Sequence, residues 1–229
     1  FFKWIRENYP ECQLAGPCTV AMEAAGDITG TQQGGGIVSM MGDSCTTFEL
    51  MEGTKEPLDI FSYHYYNGIS DRLASTMPSM HWHPDTTLSE AYLSVALKCC
   101  ESVIPARDRY CPNGEMWVTE SGDAGGGGDT LASTFMDVFR TLNELGGFSK
   151  LTNGIIFHNT LASSDYGFLD HSTFDPRPNY FAVLLWTRLM GNTVYETNEP
   201  LREGAHVFAH SRKDGKDGVA YLVINNSKT

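Results

Sequence analysis

The sequence predicts an α/β fold built on a parallel sheet, followed near residue 191 by the opening of an all-β unit. Three observations predict it. Short apolar, β-prone runs alternate with stretches of helical periodicity four times before residue 190, the rhythm of a parallel barrel or a doubly wound sheet. A long polar loop follows each of those runs. Past Gly191 the helical pattern gives way to short strands and a polar turn.

Residues 1–9 read as the end of an amphipathic helix closed by Pro10, and not as a secretory leader. Residues 12–17 form a short strand. Residues 43–52 are helical, with Asp43 or Ser44 as N-cap. Leu58–Tyr66 is the second strand. Thr86–Val103 places Leu88, Tyr92, Val95, Ala96 and Cys99 at helical spacing. Met116–Glu120 is the third strand. Thr130–Leu145 is a helix with Leu131, Phe135, Val138, Phe139 and Leu142 on one face, stopped by Gly146-Gly147. Gly154–Asn159 is the fourth strand. Asp175-Pro176-Arg177-Pro178 opens a helix to about Met190, with Asp as cap and Pro in the first turn. Strands then follow at 193–195, 205–209 and 219–224, the last two joined by the hairpin turn Lys213–Gly218.

Composition narrows the function. The chain has 229 residues, 41% hydrophobic and 19% charged, with net charge -12 and a mean hydropathy of -0.26. A surface this acidic, with no Lys/Arg cluster, argues against nucleic acid as a partner. No run approaches the roughly 18 apolar residues of a membrane span. The six cysteines include no Cys-x-x-Cys pair and no His at ligand spacing, so neither a metal nor a cofactor is expected. Cys111 paired with Cys99 or Cys100 is one reading of those cysteines, and free buried thiols are the other. No Gly-x-Gly-x-x-Gly or phosphate loop follows a strand, which disfavours dinucleotide binding. The compartment stays open between secreted, lysosomal and bacterial.

The chemistry collects at the strand ends. Glu120 closes the apolar run Met116-Trp117-Val118-Thr119, and four glycines, Gly125 to Gly128, follow. A carboxylate at a strand tip beside bare backbone is how a parallel α/β enzyme presents a nucleophile. A surface Glu before a flexible linker is the plainer alternative. The second strand ends in Tyr63-His64-Tyr65-Tyr66, whose phenols could hold a carboxylate or a sugar, or could be core aromatics. By period two, Phe61, Tyr63 and Tyr65 share one face, with Ser62 and His64 on the other. The fourth strand ends His158-Asn159-Thr160, and its loop carries Tyr166. A single carboxylate suggests covalent glycoside chemistry if a second stands about 5 Å away. No other Glu in the chain ends a strand.

Residues 119–128, Thr119-Glu120-Ser121-Gly122-Asp123-Ala124 and the four glycines, resemble the nucleophile segment of family-79 glycoside hydrolases, the heparanase and β-glucuronidase family. Asp59–Gly68 resembles its sixth barrel strand, and Tyr166–Asp170 with Phe174–Tyr180 its eighth strand loop and last helix. The resemblance implies strands five to eight of a (β/α)8 TIM barrel over residues 1–190 and the beginning of a C-terminal β-sandwich domain over 191–229. It implies a retaining hydrolase of β-glucuronides with Glu120 as the nucleophile and Tyr65 as the phenol that hydrogen-bonds it. Gly126, Gly127 and Tyr166 hold the uronate carboxylate, and Tyr63 and Asn159 complete the carbohydrate site. The acid/base Glu lies upstream of this chain, so the N-terminal half of the same protein is required and this portion alone is expected to be inactive. Three positions depart from the family. Gly125 stands where mammalian heparanases carry Tyr, Tyr63 where they carry His, and Asn159 where a Gln is expected. With 16 Lys+Arg against 28 Asp+Glu, a small glucuronide or glycan end fits better than a sulfated polymer. A barrel glycosidase for a neutral sugar and a non-catalytic glycan-binding protein are the competing readings.

Overall fold

The second and third strands carry apolar side chains on both faces, which suits interior strands of a parallel sheet, and the structure places them there. The computed structural model describes residues 1–20, 47–197 and 204–227. A short helix α1 (Phe2–Asn8) leads into β1 (Ala15–Val20), α2 (Thr47–Glu52) and β2 (Ile60–Ile69). Then come α3 (Glu90–Leu93), α4 (Val95–Tyr110), β3 (Glu115–Gly125), α5 (Met136–Leu151), β4 (Ile156–His158) and α6 (Pro178–Leu189). The strands β5 (Met190–Tyr195), β6 (Ala205–Arg212) and β7 (Val219–Asn225) follow. The first four strands form one parallel sheet in the order β1-β2-β3-β4, and the last three an antiparallel sheet in the order β5-β6-β7.

The parallel sheet buries its outer face against α3, α4 and the end of α5. Phe61, Tyr63 and Tyr65 of β2 and Met116 and Val118 of β3 meet Tyr92, Val95, Cys99, Val103 and Phe148 there, in one core. A second core joins Leu142 of α5 and Ala182 of α6 to Met190, Phe208 and Ile224 of the antiparallel sheet.

Several boundaries move. The third strand, expected to close at Glu120, runs on to Gly125, so Glu120 lies within β3 and not at its tip. The helix expected to stop at Gly146-Gly147 runs on to Leu151. A β-carbon at Gly146 would stand 2.5 Å from the Phe208 ring, and one at Gly147 2.7 Å from Leu97. These glycines admit neighbours at contact distance; they do not end the helix. The expected helix over 86–103 is two pieces, and the second continues through Pro105 to Tyr110. Asp175 does not cap α6, because Arg177 takes the cap position and Pro178 begins the first turn. The proposed cap at Asp43 or Ser44 lies outside the described residues. Cys12, Cys18, Cys100 and Cys111 are free thiols. Cys111 Sγ donates to the Leu58 carbonyl at 3.1 Å, so the bridge from Cys111 to Cys99 or Cys100 is not made.

Candidate active site

Glu120 owes its direction to one extra residue. Phe61 pairs with Met116 and Tyr63 with Val118, all facing the helices. Strict alternation from Met116 and Val118 would turn residue 120 into that same core. The register instead jumps after Tyr63 and Val118, so that His64 lies opposite Glu120 and Tyr66 opposite Gly122. Thr119 is the bulged residue, its hydroxyl donating to the Tyr63 carbonyl at 3.3 Å. A bulge that re-aims a side chain is a device of functional strands. Glu120 thereby leaves the core for the inner face of the sheet, where its side chain is 40% exposed. Ser121, one residue on, takes the buried outer position.

On the inner face Tyr66 Oη donates to Glu120 Oε2 at 2.7 Å, and His64 Nδ1 lies 3.5 Å from the same oxygen. Asn159 Nδ2 in turn donates to Tyr66 Oη at 2.8 Å. Burial pushes the Tyr66 phenol well above its ordinary range; its bond to Glu120 acts in the same direction, against the donation from Asn159. Tyr66 therefore stays protonated at physiological pH and acts as a fixed donor to the carboxylate.

This corrects two expectations. The phenol on Glu120 belongs to Tyr66, not Tyr65, because the faces alternate and Tyr65 points away. Tyr65 is 3% exposed, and its hydroxyl donates to Asn67 Oδ1 inside the core. Tyr63, 2% exposed, is likewise a core aromatic. Neither faces the inner side of the sheet. Asn159 is at the site, but its amide nitrogen holds Tyr66.

The glycine loop bends as only glycine allows. Gly126, Gly127 and Gly128 have φ of +91°, +110° and +89°, a region that carries strain for residues with a β-carbon. The N–H groups of Gly126 and Gly127 hydrogen-bond to no described residue, whereas Gly128 N donates to the Ala124 carbonyl at 3.0 Å. Tyr166 packs beside them, its ring 5.9 Å from that of Tyr66 and its backbone nitrogen 3.0 Å from where a Gly128 β-carbon would lie. Gly127, Asn159, Tyr166, Arg72 and Asp165 line a cavity of about 480 Å³. A larger space of about 660 Å³ lies between α5, α6 and β5; no carboxylate lines it.

A buried charged network behind the site was not foreseen. Ser121 Oγ donates to Glu144 Oε1, Arg140 joins Glu144 at 2.9 Å and Asp137 at 2.5 Å, and Asn179 bridges Asp137 Oδ2 and the Tyr166 carbonyl at 3.1 Å each. The residue after Glu120 is thus connected to Tyr166 through α5 and α6. Asp123 is buried above it with both carboxyl oxygens unpartnered among the described residues. Burial first, then the charges of Asp137 and Asp129, push its carboxyl well above the usual range. The signal in the sequence was the spacing of Asp137, Arg140 and Glu144 on one helical face, which reads as a solvated stripe.

No family model matches. Heparanase-like protein 1 of Arabidopsis thaliana is 32% identical over 171 residues, covering 74% of this chain and 30% of its own length. The baicalin-β-D-glucuronidase of Scutellaria baicalensis is 30% identical over 183 residues, covering 78% of this chain and 32% of its own. Bovine heparanase (Bos taurus) is 27% identical over 158 residues, 68% of this chain and 27% of its own. This chain spans about 30% of the length of the curated relatives it matches. Two solved structures are alike in fold. A 4-O-α-L-rhamnosyl-β-D-glucuronidase from Fusarium oxysporum has a TM-score of 0.53 at 16% identity, over 74% of this chain and 34% of that one. A Paenibacillus polymyxa xyloglucanase of glycoside hydrolase family 44 has a TM-score of 0.52 at 13% identity, over 97% and 46%.

Fold and site together define a mixed α/β protein whose parallel sheet carries a carboxylate on its inner face, held by a phenol. The chain belongs to the heparanase and β-glucuronidase family, glycoside hydrolase family 79.

Proposed function

We propose that this chain supplies the nucleophile half of a retaining β-glucuronide hydrolase. Its residues 1–190 are read as strands five to eight of a (β/α)8 barrel and residues 191–229 as the start of a C-terminal β-sandwich. The observation that carries the reading is the Thr119 bulge, which turns Glu120 out of the core and onto the Tyr66 phenol beside the glycine loop. Relatives named as a β-glucuronidase and as heparanases support glucuronide as the substrate class. The outer strands of the parallel sheet support the half-barrel reading, since Val20 on β1 and Phe157 on β4 are 46% and 42% exposed. Edges left open among the described residues call for further strands to cover them, and in this reading the N-terminal half of the protein supplies them.

In this reading a β-glucuronide lies over the inner face with its carboxylate toward the N–H groups of Gly126 and Gly127 and the Tyr166 hydroxyl. Glu120 attacks the anomeric carbon. A carboxylic acid from the N-terminal half, about 5 Å from Glu120, protonates the departing glycosidic oxygen. The glycosyl ester is then attacked by water, which yields its proton to that same carboxylate; glucuronic acid leaves and Glu120 is regenerated. Tyr66 fixes Glu120 by donating to Oε2 and stabilises it as the leaving carboxylate in the second step. In the full-length protein, a cyclophellitol-type or fluoro-sugar glucuronide is expected to label Glu120, read by peptide mass mapping. A label on any other residue rejects the assignment. Glu120→Gln is expected to lower kcat by roughly 10⁴-fold or more with folding intact.

A further inference from the structure

The cavity beside the glycine loop and the smaller one adjoining it, about 480 and 320 Å³, are lined by a single Lys or Arg side chain, Arg72. It enters from the turn after β2, and its guanidinium lies so close to Gly127 that a β-carbon there would meet Nη1 at 2.1 Å. Nη2 donates to Asp165 Oδ2 at 3.0 Å, and Nη1 reaches the Gly126 carbonyl only at the 3.5 Å limit. The remaining guanidinium N–H groups make no hydrogen bond to a described residue. The side chains of Arg72 and Asp165 are 62% and 46% exposed, and an ion pair that open adds little to stability. Support of the fold is therefore a poor account of an Arg at this position.

Asp165 lines both cavities, and Asp71 and Asp129 join it in the smaller one, so only the Gly127 side of the larger cavity suits an anion. The unengaged N–H of Gly127 and the ring of Tyr166 border the same cavity, and a guanidinium presents paired donors matched to a carboxylate. Elsewhere the molecule is acidic, with net charge -12, so its overall field does not draw anions in. A local cation has to do so.

We propose that Arg72 is the specificity-determining residue of this site, its free guanidinium edge taking the carboxylate of a uronic acid sugar, with Asp165 both positioning it and competing for it. The inference rests on the glucuronide reading above, and adds a side-chain cation to a carboxylate cradle otherwise made of backbone amides and a phenol. It also explains the tight fit at Gly127. Any side chain there would displace the guanidinium as well as strain the backbone.

The two partners of the ion pair have opposite expected effects, which separates recognition from simple clamping. With full-length protein, kcat and KM are measured on an aryl β-D-glucuronide and the matching aryl β-D-glucoside for wild type, Arg72→Gln, Arg72→Lys and Asp165→Asn. Arg72→Gln is expected to raise KM for the glucuronide about tenfold, the loss of one charge-assisted contact, with kcat and glucoside hydrolysis little changed. Arg72→Lys keeps part of the preference. Asp165→Asn leaves KM for the glucuronide unchanged or lowers it, because the competing carboxylate is gone. If Arg72→Gln and Asp165→Asn impair both substrates in parallel, the pair is only a loop clamp and the inference is overturned. If wild type shows no preference for the glucuronide, the glucuronide reading itself falls, and the inference with it.

Discussion

Adjacent tyrosines at the end of β2 divide two tasks. Tyr66 faces the inner side and donates to Glu120, while Tyr65 faces the core and donates to Asn67. Asn67 is itself pinned by its amide to the Tyr92 carbonyl and by Trp82 Nε1 to its own carbonyl. The substitutions should therefore separate cleanly. Tyr66→Phe is expected to lower kcat about tenfold in the full-length protein, since one donor to the reacting carboxylate is lost, with an unchanged melting temperature. Tyr65→Phe should leave a buried Asn67 oxygen unpaired and cost about 1–3 kcal/mol of stability, read by chemical denaturation, with kcat unaltered. The reverse pattern would return the role to Tyr65. The sequence exposed both phenols but not which of them faces Glu120. That depends on the phase of alternation in two strands at once.

Among the elements, β3 and α5 do most to build the site. The register shift at Thr119 is mirrored in the neighbouring strand, where Pro17 pairs with Ser62 and Thr19 with Tyr63, leaving Cys18 unpaired at φ +59°. On α5, one face carries Asp137, Arg140 and Glu144 into the interior, and its C-terminal turns carry Gly146 and Gly147 against Phe208 and Leu97. Helix propensity favours Ala over Gly by about 1 kcal/mol, so an isolated helix would gain from Gly146→Ala. Here the added methyl meets the Phe208 ring, and overpacking of about 1–3 kcal/mol is expected to outweigh the gain. Gly146→Ala should therefore unfold at lower denaturant, whereas a rise in the midpoint would mean that the ring gives way. Glycine in the sequence signals a helix stop and a close contact equally well, and only the neighbour distinguishes them.

Across the whole molecule, the buried titratable groups set the pH dependence of stability. His158 stacks on Phe168 with centroids 4.0 Å apart and contacts the Tyr166 carbonyl through Nε2. Since a carbonyl only accepts, Nε2 carries the proton of the neutral ring. Burial first, and the Arg140 charge next, push its pKa down to about 4. The sign follows. The neutral ring is favoured in the folded state, so the contribution is complete above the unfolded value near 6.5 and is lost as pH falls toward 4. It amounts to about 3 kcal/mol over that window. Asp123 acts in the opposite sense, because its raised pKa makes the folded state prefer the proton and costs stability as pH rises. Comparing His158→Gln with the full-length wild type isolates the first term. The difference in denaturation free energy should shift by about 3 kcal/mol between pH 7 and 4, and a constant difference would refute it.

The alternation of strands and helices, the acidic composition and the all-β character after Gly191 are legible in the sequence alone. These follow from local periodicity and composition, which each short segment carries within itself. The tertiary structure alone decided that Tyr66 holds Glu120, that Arg140 and its carboxylates lie inside, and that Gly146 and Gly147 belong to a helix. Each of those depends on what another part of the chain places opposite. A single extra residue at Thr119 reverses which face Glu120 takes, and period-two counting within one strand cannot detect it.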